Sequence, residues 1–291
     1  MLILKKTKSE LIIKLKMRLF HYTTIDTLAY MMSNRSIRFS RLDTLDDKTE
    51  SEPFAAFNPL KYIFSCSFTD DPKESIPLWK MYANMETGIR LEFDSATMFS
   101  PSSVKTNIPS NTQERCDFQP YIYTAVKSED IINEDYVLMY WDYPKVDSLC
   151  SCIKIKGITY YDDFSELYKS KIRIQDVALN NSRLTNRLIN YDPLDFGFYK
   201  TKYWEFQKEV RLLIYAIPFA KDSAAISEIL STNKPIKTES ILVPLSEIAL
   251  DNLKIVLAPK STEASKLIVE ALTSKLSNVS IEYSALKNTL R

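Results

Sequence analysis

The chain has 291 residues, of which 45% are hydrophobic, 12% aromatic and 26% charged. That is long enough to bury a core as one large domain or two modest ones. Lys and Arg number 38 against 37 Asp and Glu, a formal net charge of +1, so no global attraction to nucleic acid or membrane follows. Average usage of about 7% would give roughly 20 glycines, but only Gly88, Gly157 and Gly197 are present, each isolated. A dinucleotide-binding G-x-G-x-x-G turn, a Walker P-loop and a G-x-S-x-G elbow are therefore excluded. The lone His21 rules out multi-histidine metal centres, so no metal site is expected, while one imidazole remains available to hold a substrate.

Residues 1–16 read as a basic N-terminal extension, a short helix whose lysines form either a solvated face or a basic arm. Its apolar runs, Leu2 to Leu4 and Leu11 to Ile13, are too short for a signal peptide or a membrane span. Residues 17–291 read as a single domain. Met17 to Thr23 alternates as a strand, followed by a helix with Thr24 as N-cap and Ile25, Leu28, Ala29 and Met32 at helical spacing. Ile37 to Ser40 reads as a second strand, then an acidic loop runs from Asp43 to Glu52. Lys61 to Phe68 is a third strand, with Ser65 and Ser67 on one face and Phe64, Cys66 and Phe68 on the other. Pro77 to Ala83 is a short helix carrying Trp79 and Tyr82, and Gly88 turns the chain into a strand over 89–93.

Pro101 to Gln119 is rich in Ser, Asn, Thr and Pro and reads as a loop. Strands are expected near 121–126 and 153–161, then a long helical region over 165–190 and a strand over 209–217. The tail reads as strand 241–243, strand 253–257, helix 262–275 and strand 279–283. Strands and helices mix without a βαβ rhythm, which predicts an α+β fold. Cys66, Cys116, Cys150 and Cys152 form no C-x-x-C pair and read as reduced thiols of a cytoplasmic protein.

The densest chemical signal is Lys200 to Arg211. If that segment is extended, period two places Gln207, Glu209 and Arg211 on one face, opposite Phe206, Val210, Leu212 and Ile214. A carboxylate flanked by an amide and a guanidinium is oriented and kept ionised, which suits stabilising an oxocarbenium-like sugar or binding a ribose hydroxyl. A solvent-facing strand edge with a surface ion pair has the same pattern. His21-Tyr22-Thr23 is open to two readings, a capping histidine or a ligand contact. So are Ser65-Cys66-Ser67, as small packing residues or a polar floor, and Trp79 with Tyr82, as core or a ligand platform.

Taken in order, H-Y-T at the first strand, the acidic D-D-x-x-E loop (Asp46, Asp47, Glu50), S-x-S-F and L-W-x-x-Y before a glycine resemble domain-of-unknown-function family 2971. The late hallmark of that family, K…W-x-x-E-x-E-x-R, is met at Trp204, Glu209 and Arg211, with Gln207 in place of its first glutamate. The resemblance runs over about residues 18–290. The family is similar to a branch of the ADP-ribosyltransferase superfamily, a split β-sandwich that clamps NAD as co-substrate without a Rossmann turn. The resemblance implies that Glu209, His21 and Gln207 carry catalysis. It implies that His21, Tyr22, Thr23, Ser65, Ser67, Trp79, Tyr82, Arg38 and Arg211 bind NAD, with Arg41 a further candidate for the pyrophosphate.

The superfamily's histidine class pairs with a tyrosine on the middle strand. This chain has Ser-x-Ser there, so the ring that stacks on nicotinamide stays open between Tyr22, Tyr82 and Trp79, and so does an inactive site. The implied acceptor is a macromolecule, RNA or DNA before protein, in a toxin or anti-phage effector held by an antitoxin or chaperone. NAD hydrolysis and a non-catalytic interaction module are the rival readings.

Overall fold

The computed structural model describes residues 16–289 except 46, 51–53, 55–56, 106–120, 142–146, 179–184, 220–227 and 230. Residues 1–15 of the basic extension, Asp46, Cys116 and most of the 101–119 loop thus lie outside the described residues.

The chain begins with β1 (Arg18–Thr24), a helix over Ile25–Asn34, β2 (Ser36–Arg41) and β3 (Ile63–Thr69). A short helix, Ile76–Leu78, continues as a wide turn, Trp79–Ala83, into β4 (Gly88–Asp94). β5 (Ser102–Lys105) pairs with β6 (Tyr121–Thr124), ahead of β7 (Tyr136–Leu138), β8 (Ser148–Cys150), β9 (Ile153–Gly157) and β10 (Thr159–Tyr161). After the helix Ser165–Lys171 come β11 (Ile172–Ala178), β12 (Thr185–Tyr191), β13 (Tyr199–Thr201) and β14 (Glu209–Pro218). β15 (Ser240–Pro244), β16 (Lys254–Leu257), a helix over Glu263–Thr273 and β17 (Ser280–Tyr283) complete the order.

Among the described residues the main sheet runs β17-β16-β4-β1-β3-β14-β9-β8, with β2 and its neighbour β15 attached to β3 and β7 attached to β14. Its pairs are antiparallel except β16–β17, which are joined through the Glu263–Thr273 helix. Helices with one large, mostly antiparallel sheet agree with the α+β class.

Local chemistry sets the helix ends. Thr24 Oγ1 accepts from the Thr27 N–H and Thr262 Oγ1 from the Ser265 N–H, so each long helix starts on a threonine cap. Gly88 is required where it stands, because a Cβ there would run into the backbone carbonyls of Ala83 and Asn84.

β14 is buried along nearly its whole length. Val210, Leu212, Ile214 and Ala216 enter the larger core, while Leu213 and Tyr215 enter a second core with Ile63, Phe164, Tyr168 and Phe196. Glu209 and Arg211 therefore sit at one end of a strand with no solvent face.

Three expectations are corrected. Residues 165–190 form no long helix. After Lys171, Ile172 and Ile174 alternate with polar residues, and β11 and β12 pair antiparallel from Ile172↔Tyr191 to Ala178↔Thr185. The strand expected over 153–161 breaks at Ile158, because β9 joins β14 while β10 runs parallel to β13. Residues 200–211 are not continuously extended. Lys202–Gln207 is a 3-10 turn, and Lys208, left-handed at φ 43°, swings the chain into β14. Phe206 is consequently exposed rather than packed with Val210.

β1 and β3 meet at the single pair Phe20↔Thr69, whereas β1 pairs with β4 over seven residues and β3 with β14 over seven. The sheet is in effect open beyond Phe20, and that opening places the site.

Candidate functional site

A cleft of ≈ 340 Å³ lies at this opening, within the size range of small-molecule sites. Consecutive residues of β1 (Phe20, His21, Tyr22) and of β3 (Ser65 to Thr69) all line it. Residues of a strand alternate between faces, so a cleft touching every one of them runs along the strand edges. In a closed ladder, His21 would share the Phe68 face and Glu209 the Thr69 face. The opening lets both border one cavity. The β3 floor from Ser65 to Thr69 is about 13 Å long at ~3.3 Å per residue.

His21 is fixed by two contacts. Its Nδ1 lies 2.8 Å from the Ser67 carbonyl, and its ring packs 5.2 Å from Phe68. Burial pushes the imidazole below the ordinary histidine range, more than the Ser67 carbonyl pulls it back up. A neutral ring facing a carbonyl must donate from Nδ1, which leaves Nε2 as the acceptor.

Glu209 is buried at the start of β14. Arg211 Nε donates to its Oε1 at 2.7 Å, and Lys200 Nζ stands 2.7 Å from Oε2 as an ion pair. Burial alone would raise the carboxyl, but the Arg211 guanidinium and the Lys200 ammonium outweigh it and hold Glu209 at about 2. Arg211, fully buried, also clasps Glu50 with Nη1 and Nη2 at 2.7 and 2.6 Å and donates to the Gly197 carbonyl. Gly197 adopts φ 91°, a conformation that favours glycine. Lys200 further reaches Gln207 Oε1 at 3.0 Å and Glu50 Oε1 at 3.6 Å. Gln207 Nε2 donates to Tyr82 Oη at 2.6 Å. Two carboxylates and two cations thus compensate one another in the wall, as buried charges require.

Among the described residues, Glu209 Oε2 has the Lys200 ammonium 2.7 Å away, while two further cleft oxygens, Ser65 Oγ and Asp47 Oδ2, are buried without a hydrogen-bond partner. Each such atom costs about 1–3 kcal/mol. Their convergence on one cavity marks where ligand or water polar groups belong.

His21, Tyr22, Ser65, Ser67, Tyr82, Gln207, Glu209, Arg38 and Arg211 all line the cleft, with Arg38 exposed on β2. Several expected roles change. Trp79 is fully buried, is not among the lining residues, and donates from Nε1 to Glu74, so it is core and not a ligand platform. Thr23 is buried and also off the lining. Tyr22 borders the cleft but is held edge-on to Trp79, its hydroxyl accepting from the Ser75 N–H. Arg211 spends its donors on protein groups, which fits steadying Glu209 and not meeting a pyrophosphate. Arg41 is buried against Asp43 and the Ile236 and Thr238 carbonyls, away from the cleft. Tyr82, 42% exposed, is the aromatic ring that the cleft presents from the predicted set.

Four wall residues had no assigned role in the sequence. Trp204 lines the cleft half-buried with Lys200 Nζ 5.4 Å from its ring. Lys200, Asp47 and Glu50 complete the polar wall. Trp204, Asp47 and Glu50 stand in the motifs quoted above, and Lys200 begins the late segment. Their number in short stretches was the available signal. Cys66, Cys150 and Cys152 are free, buried thiols. Among the described residues no group of three or more His, Cys, Asp or Glu is placed to hold a metal ion, and no helix is long and apolar enough to cross a membrane.

Fold and cleft together define an α+β protein with a cleft whose wall carries a buried glutamate. Residues 78–212 match the model of the family described as "Protein of unknown function (DUF2971)", and this stretch belongs to that family. The matched span carries Tyr82, Lys200, Gln207, Glu209 and Arg211, while His21 and the β3 serines lie before it. No curated protein and no solved structure matches the chain.

Proposed function

We propose that the chain is an NAD-dependent ADP-ribosyltransferase on a split β-sandwich. The observation that carries this reading is the shared cleft. It contains an ionised Glu209 whose Oε2 is paired with the Lys200 ammonium, and a neutral His21 with Nε2 as acceptor. Its glycine-free floor runs along the edges of β1 and β3, as suits an NAD site without a Rossmann turn.

In this reading His21 Nε2 accepts from a hydroxyl of the adenosine-side ribose, Ser65 and Ser67 meet further hydroxyls, and the exposed Arg38 faces the pyrophosphate. Tyr82 and Trp204 offer rings to the nicotinamide. Glu209 Oε2 accepts from the 2′-hydroxyl of the nicotinamide-side ribose. The C1′–N bond breaks with its electron pair going to nicotinamide, and the carboxylate stabilises the positive charge left at C1′. One such preorganised group is commonly worth about 10²–10³-fold in rate. An acceptor oxygen or nitrogen then bonds to C1′ and loses its proton.

The acceptor is a macromolecule, with nucleic acid ahead of protein because exposed rings at the rim suit a base. A toxin or defence role, with an antitoxin or chaperone as partner and a cytoplasmic setting, belongs to the same reading. NAD hydrolysis is a second reading with its own support. Gln207, expected to orient the acceptor, has its carbonyl on Lys200 and its amide on Tyr82, which leaves water as the less demanding nucleophile.

Incubation with NAD labelled in the adenylate tests this. Label in an RNA, DNA or protein fraction supports transfer, and free ADP-ribose alone supports hydrolysis. Intact NAD, with no thermal shift on its addition, would leave a non-catalytic module.

A further inference from the structure

We infer that Lys200 is a positioning residue for Glu209, a buried cation that keeps Oε2 charged and aimed into the cleft to meet a ligand hydroxyl. The inference rests on the proposal that Glu209 Oε2 meets a ligand hydroxyl.

The geometry separates the two carboxylate oxygens. Oε1 is committed to Arg211 Nε, so Oε2 is the atom left to face a ligand. Oε2 has the Lys200 ammonium as its ion-pair partner at 2.7 Å, and the same Nζ also donates to Gln207 Oε1 at 3.0 Å. A carboxylate oxygen can accept more than one hydrogen bond, so Oε2 can take a ligand hydroxyl beside the ammonium. Glu50 Oε1 stands 3.6 Å from the same Nζ. When a hydroxyl bonds to Oε2, the ammonium can lean toward Glu50 without leaving either carboxylate uncompensated. The Lys200 nitrogen is held for this by burial, by Gln207 and by the Trp204 ring at 5.4 Å. Arginine would present a wider planar fork in place of this compact ammonium.

From β3, the Ser67 hydroxyl also hydrogen-bonds the carboxyl and favours its ionised form. Arg211 faces it from its own strand, and Glu50 from the 48–50 turn through Arg211. From β10, Tyr160 Oη accepts from the Glu209 N–H. Tyr82 reaches it through Gln207, Asp47 lines the same cleft, and Lys208 beside it is paired with Asp71. Lys200 is the cation that stands on Oε2.

The test titrates ¹³Cδ-labelled glutamate by NMR in the full chain without NAD, with Glu209→Gln assigning the resonance. In the wild type, Glu209 is expected to keep its carboxylate shift far below the ordinary glutamate range. In Lys200→Gln, which keeps a donor but removes the charge, the midpoint is expected to rise by about 1–3 pH units. Lys200→Arg should restore the low midpoint while binding NAD more weakly than wild type. A Lys200→Gln midpoint equal to wild type would overturn the inference. Should Lys200→Gln fail to fold, the wild-type Lys200 ¹⁵Nζ signal decides. It should be protected from exchange at neutral pH and lose protection in Glu209→Gln, and equal protection in both would also overturn it. Because neither readout uses NAD, a correct titration with no NAD cleavage would sink the transferase reading alone. NAD cleavage with an unmoved titration would sink the role of Lys200 alone.

Discussion

Arg211 and Glu209 lie two residues apart on one strand, and the guanidinium Nε donates to the carboxylate Oε1 at 2.7 Å in a buried wall of the cleft. The same guanidinium grips Glu50, 161 residues away in the chain. One buried cation therefore ties the acidic loop to the strand that carries the candidate catalytic group.

Arg211→Met is expected to leave Glu50 and Glu209 facing each other with Lys200 alone to compensate them. Breaking a buried pair in this way commonly costs about 3–5 kcal/mol. Denaturant unfolding should show a loss of that size. A variant as stable as wild type would mean that the network does not hold the two segments together.

The pH dependence of Glu209 has a definite sign. Its folded value, about 2, is below the ordinary glutamate value, so its stabilising contribution is complete above the ordinary range and is lost as pH falls toward 2. Glu209→Gln should therefore flatten the acid limb of a stability-against-pH curve. An unchanged limb would place the wild-type proton elsewhere.

For His21 the folded value is also depressed, here by burial. The folded state resists a proton that the unfolded chain accepts, so stability is full above about 6.5 and declines as pH falls below it. NAD affinity should persist to lower pH and fall only as the folded imidazole itself takes up a proton, because Nε2 is an acceptor in the neutral ring only. His21→Asn should remove the dependence on both curves, measured by thermal shift with and without NAD.

Trp79 and Tyr82 separate core from cleft. Trp79→Ala is expected to cost about 3–5 kcal/mol of stability as a core truncation. Tyr82→Ala, at a 42% exposed position, should cost far less stability while weakening NAD binding. Calorimetric titration of both variants checks this, and equal affinity losses would contradict the assignment.

Local periodicity made much of this legible. The apolar alternation of β3 and β14, the Thr24 and Thr262 caps and the terminal strand–helix–strand all follow from patterns a few residues long. The β11–β12 pair was hidden because the helical start at Ser165 runs directly into it and its partner strand lies beyond the 179–184 stretch. Trp79 matched a ligand motif, but burial against Tyr22 and Glu74 is a tertiary fact. Gln207 reached the site by a left-handed turn at Lys208 and not by strand alternation. The Glu50–Arg211 pair shows only when distant segments meet, and the Lys200–Glu209 pair only once the 202–208 turn folds the chain back.

Single-turnover release of nicotinamide from NAD by wild type and by Glu209→Gln, at equal protein concentration and with matching circular dichroism spectra, is the most direct test. A transferase or hydrolase centred on Glu209 should release nicotinamide in the wild type and slow by at least about 10²-fold in the variant. Release at the same rate by both proteins, or by neither, would contradict the assignment.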